Sequence, residues 1–155
     1  MRIDQATRLQ ETDSLSIYSI WNAVYPDFLA HATIDGLEAY LTSLLNPSHF
    51  LLRDEGSLKG WLCTFDRNGE RWFVMIIHPS AQKRGFGTSL ISKAMALENT
   101  LSGWVVEHNN YLLSDGSVYV SPLPFYSNLG FQMTQNRFDD GRLKAVQVRW
   151  ENRST

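Results

Sequence analysis

The stretch that decides the fold is Met75-Ile76-Ile77-His78-Pro79-Ser80-Ala81-Gln82-Lys83-Arg84-Gly85-Phe86-Gly87-Thr88. An apolar run enters it, a turn with two glycines follows, and a helical pattern leaves it, so it predicts a strand-to-helix crossover. Glycine lets successive backbone N–H groups point into one concavity, and a helix N-terminus adds about half a positive charge. Together with the cations Lys83 and Arg84, this turn predicts a binding site for phosphate groups.

The spacing of the glycines excludes two common classes of phosphate-binding loop. The turn lacks the Gly-Lys-Ser/Thr ending of a Walker loop, and it lacks the third glycine of a dinucleotide-binding fingerprint. A diphosphate bound here would therefore belong to another kind of ligand.

Two helices are predicted before this crossover. The first covers residues 11–24, with an apolar stripe and with Asp13 as its start signal, and the second runs from Thr33, its cap, to Leu45 before Asn46-Pro47 ends it. The residues of the first stripe are Leu15, Tyr18, Ile20, Trp21 and Val24.

Strands are predicted from His49 onwards, where the apolar period changes. Phe50 to Leu52 and Leu58 to Phe65 form a hairpin around the turn Asp54 to Ser57, and Asp66 to Gly69 turns the chain into Trp72 to Ile77. This last run is nearly all apolar, which indicates a central strand covered on both faces.

Beyond the crossover, the pattern predicts a helix from Thr88 to Leu101, which Gly103 ends. The remaining predicted elements are the strand Trp104 to Val106, a short helix Pro122 to Leu129 followed by Gly130, and the strands Phe131 to Arg137 and Leu143 to Trp150. The resulting order is a strand, two helices, three strands, a helix, a strand, a helix and a pair of strands, which predicts a mixed α/β sheet.

Length and composition narrow the class of protein. With 155 residues and ordinary apolar content, the chain is predicted to form one domain, residues 1–155. A net charge of −2 argues against a nucleic-acid partner bound through a large basic surface. We find neither a signal core nor a membrane-spanning run, so we expect no membrane association and a cytoplasmic location. The lone Cys63 is expected to be buried.

Two motifs in the chain resemble those of the GNAT superfamily of acyl-CoA-dependent N-acetyltransferases. Gln82-x-x-Gly85-x-Gly87, after an apolar strand that ends in Ile-His-Pro, is similar to the family's CoA-binding motif. Ser121 to Phe131, which contains Phe-Tyr followed by x-x-x-Gly-Phe, resembles its second signature. The resemblance covers essentially the whole chain and implies an α/β (α+β) fold, with a mixed, mostly antiparallel sheet of about seven strands flanked by about four helices.

The resemblance also implies acetyl-CoA as cosubstrate and no metal. In the family the diphosphate lies on the glycine turn, the pantetheine arm pairs with the end of the preceding strand, and a backbone amide, here that of Ile77 or its neighbour, faces the thioester oxygen. The cofactor-binding residues so implied are Met75, Ile76, Ile77, Gln82, Lys83, Arg84, Gly85, Phe86, Gly87, Thr88, Ser121 and Phe125. The reaction implied is direct attack of a primary amine, on a small molecule or a peptide or protein, in a ternary complex.

Tyr126 is the residue that the resemblance implies as general acid, because relatives place this tyrosine beside the CoA sulfur; the alternative is a core aromatic. Relatives often carry asparagine seven positions earlier, where this chain has Tyr119, and Ser121 is a candidate substitute. No base is identified. Glu107 and His108 are candidates, although solvated loop residues or a water relay explain the pattern equally well.

Trp21, Tyr25 and Phe28, around the break between the first two helices, are candidates to line an acceptor pocket, the alternative being core packing. His78 is expected to lie at the surface.

Three alternative functions remain: a CoA-binding module without catalysis, an enzyme that uses another acyl-CoA, and one with a hydroxyl acceptor. Dimerisation through the terminal strands is also possible.

Overall fold

Seven strands form one sheet in the order β1-β2-β3-β4-β5-β7-β6 in the computed structural model, which describes residues 1–153. The strands are β1 (Arg2–Ala6), β2 (Leu45–Asp54), β3 (Ser57–Arg67), β4 (Glu70–Ile77), β5 (Thr100–Val105), β6 (Gln132–Asp139) and β7 (Lys144–Glu151). The helices are α1 (Glu11–Val24), α2 (Ile34–Ser43), α3 (Phe86–Met95) and α4 (Leu123–Asn128), with 3₁₀ turns at Asp27–Leu29 and Pro79–Ala81. Only β4 and β5 pair in parallel, so the predicted fold class is confirmed. The predicted domain, 1–155, also includes residues 154 and 155, which lie outside the described residues.

The sheet carries an apolar core on each face. Because successive side chains of a strand point to opposite faces, Leu62 of β3 packs on the α3 side, whereas its neighbours Trp61 and Cys63 pack on the α1 side. All three side chains are fully buried. β4 is the fourth of the seven strands and contributes to both cores, which confirms the prediction of a central strand covered on both faces.

Helix α1 matches its predicted bounds, but two details differ. Asp13 lies inside the first turn, where its Oδ2 accepts from the backbone N of Gln10 at 3.2 Å and its Oδ1 pairs with Arg53 Nη1 at 2.9 Å. Leu15 is 51% exposed, and Ile17 takes its expected place in the core. The helical period explains the exchange, since Ile17 shares the buried face with Ile20 and Leu15 does not.

Helix α2 begins as predicted after Thr33, whose Oγ1 accepts from Gly36 N at 3.4 Å. It ends at Ser43, before the predicted end, and Leu45 already belongs to β2. Asn46-Pro47 therefore lies at the irregular start of a strand rather than at the end of a helix, where the pairing of β2 with β3 shifts register.

The predicted helix Thr88 to Leu101 is wrong in its second half. Helix α3 ends at Met95, and residues 100–105 form β5. Leu97, which fitted the helical stripe, is 60% exposed, and Leu101 instead pairs with Trp150 of β7. Gly103 is an interior residue of β5 rather than a helix breaker. A Cβ atom there would lie 2.8 Å from Cε1 of Phe73, so the close packing leaves no space for a side chain.

The remaining elements agree with the prediction except for shifts at their ends. The short helix is α4, and the last two strands are β6 and β7, with β6 at the edge of the sheet. The predicted hairpin is longer than expected and comprises β2 and β3. Cys63 is buried, as predicted. Within residues 1–153, no helix combines the length and the apolar character that a bilayer crossing requires.

Candidate functional site

The central feature of the site is an opening in the sheet between β4 and β5. Their parallel pairing is limited to the register pair Trp72↔Ser102, so the two strands diverge towards the end of β4. His78 N donates to Lys59 O of β3 at 2.8 Å. Successive residues of a strand direct their backbone N–H and C=O groups to opposite sides. The backbone groups of Met75 and Ile77 therefore point away from β3, towards the opening. An extended ligand can pair with such a strand edge.

The glycine turn lies at the end of this opening and directs backbone amides outwards. Lys83 has φ 61° and Gly85 has φ 83°, both in the left-handed region, which produces the concave backbone of an anion-binding nest. Helix α3 begins directly afterwards, with Ser89 N donating to Gly85 O at 3.2 Å. No side chain of the described residues caps this N-terminus, so its first amides and its positive dipole end face outwards.

Gly87 is the point at which three elements meet. A Cβ atom on Gly87 would lie 3.3 Å from Cζ of Phe125 on α4 and 3.7 Å from Cε of Met75 on β4. A side chain at this position would fill the space in front of the helix N-terminus. The two motifs, far apart in sequence, are therefore parts of one surface.

The polar side chains of the turn are held in defined positions. Gln82 Nε2 donates to Ile77 O at 3.1 Å, which ties the turn to the end of β4. The guanidinium of Arg84 lies over the Phe86 ring at 5.0 Å from its centroid, while Lys83 and Thr88 are exposed. The predicted phosphate-binding side chains therefore lie together at the mouth of α3.

Tyr126 lies beneath this surface. Its side chain is 5% exposed and packs against the rings of Phe73, Phe125 and Phe131, with centroid distances of 5.4, 5.0 and 5.4 Å. Burial, and secondarily the nearby Tyr119, raises the pKa of Tyr126 well above its usual value, so the phenol stays protonated. Among residues 1–153, no hydrogen-bond partner is found for this hydroxyl, which can therefore donate to a ligand.

Two further tyrosines lie near Tyr126. Tyr25 Oη donates to Met75 O at 3.5 Å, at the open end of β4. Burial first, and then the proximity of Tyr119, Tyr40 and Tyr126, raises the pKa of Tyr25. Burial also raises the pKa of Tyr119 to about 12. In the sequence, Tyr119 is distinguished only by its departure from the family pattern, and its place seven residues before Tyr126 is the signal that could have identified it.

Ser121 connects β5 to α4. Its hydroxyl donates to Val106 O and accepts from Leu123 N at 3.2 Å, and its backbone N donates to Asn109 Oδ1 at 2.7 Å. These bonds fix the start of the helix that carries Tyr126. The cofactor contact predicted for Ser121 stays a prediction.

The three candidate acceptor residues have different surroundings. Trp21 is 9% exposed, donates from Nε1 to Leu29 O at 2.9 Å and belongs to the core. Tyr25, whose ring centroid is 4.6 Å from that of Trp21, reaches the opening. Phe28 packs instead against Tyr111, with ring centroids 4.9 Å apart.

The candidate bases lie on the loop after β5. Glu107 Oε1 pairs with Arg137 Nε at 3.4 Å, and His108 Nδ1 accepts from Asn110 N at 3.1 Å. Both line a pocket of about 300 Å³ beside β6 and β7. Their role as base stays a prediction.

His78 is half-buried, and its Nδ1 accepts from Ser80 N at 3.0 Å, so it caps the 3₁₀ turn before Gln82. In the described part of the chain, no cluster of His, Cys, Asp and Glu is arranged to hold a metal ion.

Solved structures with this fold include several acetyltransferases. An aminoglycoside 6'-N-acetyltransferase complexed with coenzyme A superposes with a TM-score of 0.73 at 13% identity, covering 97% of each chain. The aminoglycoside 6'-N-acetyltransferase from Enterococcus faecium gives 0.69 at 13% identity and 97% of each chain. A phosphinothricin acetyltransferase from Sinorhizobium meliloti, in complex with AcCoA, gives 0.67 at 14% identity, covering 97% of this chain and 89% of that one.

A search of curated proteins found no match. The model of the acetyltransferase (GNAT) domain family, in contrast, matches residues 46–133, which is more than half of the chain and includes β2 to α4 with both motifs. The chain therefore belongs to the GNAT family of acetyltransferases.

Proposed function

We propose that this protein is an acetyl-CoA-dependent N-acetyltransferase, whose one domain spans residues 1–155 and which acetylates a primary amine in a ternary complex. One observation supports the proposal: the start of α3, the end of β4 and the helix that carries Tyr126 meet at Gly87, where a Cβ would lie 3.3 Å from Cζ of Phe125 and 3.7 Å from Cε of Met75. These parts suit the phosphates, the arm and the sulfur of one extended cosubstrate.

The residues at the turn fit a diphosphate. Backbone amides from Lys83 to Thr88 supply donors, and the α3 dipole with Lys83 and Arg84 favours negative charge. Gly87 carries no side chain, so the space between the start of α3 and Phe125 stays open to a diphosphate. A Cβ atom at this position would lie 3.3 Å from Cζ of Phe125. The backbone groups of Met75 and Ile77 suit the amides of a pantetheine arm.

The thioester, when bound, supplies an electrophilic carbonyl carbon. The amide of Ile77 points into the opening, where it can donate to the carbonyl oxygen as negative charge develops. Attack by the amine forms the C–N bond, the C–S bond breaks, and the departing sulfur needs a proton or a hydrogen bond. We assign this role to Tyr126, because the Tyr25 hydroxyl already donates to Met75 O.

The pKa of Tyr126 limits what this donor does. A phenol of ordinary pKa would give its proton to a thiolate of pKa ~8.5 at a cost of roughly 2 kcal/mol. Because burial raises the phenol's pKa further, the transfer costs more than that. We therefore assign Tyr126 mainly to hydrogen-bonding the developing thiolate, with the proton following late.

The amine must also lose a proton before or during attack. For a lysine-like amine of pKa ~10.4, deprotonation at pH 7 costs close to 5 kcal/mol. Glu107 and His108 remain the candidates for this step, and a water relay is the alternative. Glu107 pairs with Arg137 and His108 accepts from Asn110 N, and neither contact involves Tyr126.

Release of CoA thiol from acetyl-CoA, measured with a panel of small amines and lysine peptides, tests the function. Amine-dependent release with mass-spectrometric detection of the N-acetyl product is expected. Saturable binding of acetyl-CoA without release from any amine would instead indicate a CoA-binding module, and release only with alcohols or other acyl-CoA thioesters would indicate a different acyltransferase.

A further inference from the structure

Ser121 joins the two ends of the long segment that connects β5 to α4. Its hydroxyl donates to Val106 O, directly after the last residue of β5, and accepts from Leu123 N, the first residue of α4, at 3.2 Å. Its backbone N donates to Asn109 Oδ1 at 2.7 Å. One residue therefore ties the start of α4 to the end of an interior strand of the sheet.

Helix α4 is too short to hold its own position. It has six residues, Leu123–Asn128, and isolated helices shorter than about 12 residues are marginal in water. Pro122, the residue before the helix, has no side-chain group that could accept a hydrogen bond from its first amides. The Ser121 hydroxyl takes over this capping role from one position earlier.

The same bonds fix the backbone that carries Tyr126. Tyr126 N donates to Pro122 O at 3.2 Å, and Pro122 directly follows Ser121. At the other end of the helix, Phe131 N donates to Tyr126 O at 3.1 Å. The Tyr126 backbone is thus held from β5 through Ser121 and from the residue before β6 through Phe131.

The position of the Tyr126 hydroxyl follows that of its backbone. The ring is buried against Phe73, Phe125 and Phe131, with centroid distances of 5.4, 5.0 and 5.4 Å. Because the hydroxyl is at the far end of the side chain, a small rotation of α4 moves it further than it moves the helix. A displacement of about 1 Å at a reacting group can cost ~100-fold in rate.

We propose that Ser121 is a positioning residue, which holds the Tyr126 hydroxyl where it meets the departing sulfur. The Ser121 hydroxyl has one hydrogen to donate, and Val106 O already accepts it. This inference rests on the proposed function and adds to it a residue that acts through α4. It is an alternative to a direct cofactor contact of Ser121, and experiment separates the two roles.

A double-mutant cycle on kcat tests the proposal. Ser121→Ala should lower kcat about tenfold, as a small misplacement of a reacting group does, with little change in the Kd of acetyl-CoA. In the Tyr126→Phe background, the same substitution should lower kcat no further, because the hydroxyl that Ser121 positions is gone. Losses that multiply in the double variant would refute the positioning role. A large rise in the Kd of acetyl-CoA in Ser121→Ala would indicate the cofactor contact instead.

Two further variants keep the test independent of how well Ser121→Ala folds. Ser121→Thr retains the hydroxyl and should keep kcat. Asn109→Ala removes the acceptor of Ser121 N at an exposed position, and should lower kcat in the native background but not in Tyr126→Phe. An unchanged kcat in both Ser121→Ala and Asn109→Ala would overturn the inference.

Thr33→Ala is the matched control, since the Thr33 hydroxyl likewise accepts from a backbone amide, Gly36 N at 3.4 Å, at the start of α2. It should lower Tm and leave kcat unchanged. An equal fall of kcat in Thr33→Ala and Ser121→Ala would assign the loss to helix capping in general.

The outcomes also separate this inference from the proposed function. A Tyr126→Phe enzyme with full activity would leave Ser121 no hydroxyl to position, and would overturn the inference while acetyl transfer stands. Failure of the unsubstituted protein to release thiol with any amine would overturn the proposed function, and the inference with it.

Discussion

Gly87 lies directly against Phe125, such that a Cβ on the glycine would be 3.3 Å from the phenyl Cζ. The contact joins the first turn of α3 to α4, and hence the glycine turn to the helix that carries Tyr126. Substitutions in the turn are expected to change mainly cosubstrate affinity, and substitution of the Tyr126 hydroxyl mainly turnover.

Gly85→Glu should abolish binding of CoA, because it places a carboxylate where the α3 amides face outwards. The side chain itself has space, since nothing lies within 4 Å of its Cβ, but φ of +83° costs roughly 1–2 kcal/mol of stability. Isothermal titration with CoA measures the affinity.

Gly56→Glu is the matched control for that loss. Gly56 has φ +84° and equally open surroundings in the turn between β2 and β3, so the backbone strain is the same. Both variants should lose similar Tm, and only Gly85→Glu should lose CoA binding. Equal affinity of the two variants would contradict the assignment of the turn.

Tyr126→Phe should lower kcat with little change in the Kd of acetyl-CoA, because it removes one hydroxyl that is available to the departing sulfur and keeps the ring packed against Phe73. Tyr18→Phe is its control, since Tyr18 Oη donates to Ala32 O away from the opening. Because burial keeps the Tyr126 pKa above its usual value, no loss of rate from this group is expected between pH 7 and about pH 10. A full-rate Tyr126→Phe enzyme would remove the acid role.

His49 should make the protein less stable in mild acid. Burial lowers its pKa to about 4, an effect that the nearby Asp13 only partly offsets, and the neutral ring accepts from Trp61 Nε1 at 3.0 Å through Nδ1. Between pH ~6.5 and 4 the unfolded chain binds the proton and the folded one does not, so the free energy of unfolding should fall by about 3 kcal/mol over that window. Urea unfolding at both pH values measures the fall, and His49→Gln should reduce it. An equal fall in His49→Gln would assign the acid sensitivity to other groups.

Gly103→Ala should destabilise the fold by about 1–3 kcal/mol, because the added Cβ would lie 2.8 Å from Cε1 of Phe73 in the packed core. Gly36→Ala in α2 is the control: its nearest neighbour would be His31 Nδ1 at 3.5 Å, an ordinary contact, and alanine favours the helix. In the double variant Gly103→Ala/Phe73→Leu, the cost of the alanine should shrink, since the smaller side chain yields space. A fully additive double variant would show that the clash is not the cause.

Many element types followed from local patterns. The capping residue Thr33, the hairpin turns and the alternation in β3 predicted their structures because these depend on neighbours in sequence. The stretch from Met95 to Val105 failed for the opposite reason. Leu97 and Leu101 have helical spacing, but pairing of β5 with β7, some fifty positions further along the chain, decides the structure there.

The candidate site likewise contains parts that the sequence predicts and parts that only the tertiary structure identifies. The glycine turn from Gln82 to Gly87 and the short helix with Tyr126 were identified from the sequence, because their chemistry resides in backbone conformation and in one motif each. Tyr25 belongs to no motif, and only the tertiary structure brings its hydroxyl to within 3.5 Å of Met75 O at the end of β4.

The amino-acid sequence alone thus determined the family, the crossover and the conformation of the glycine turn, since a left-handed Gly85 and the start of a helix are local features. Tertiary structure decided which aromatic side chains face the reaction space, where β4 and β5 separate, and how strongly burial shifts the phenol of Tyr126. Those properties arise from contacts between segments that are distant in sequence, and no local pattern encodes them.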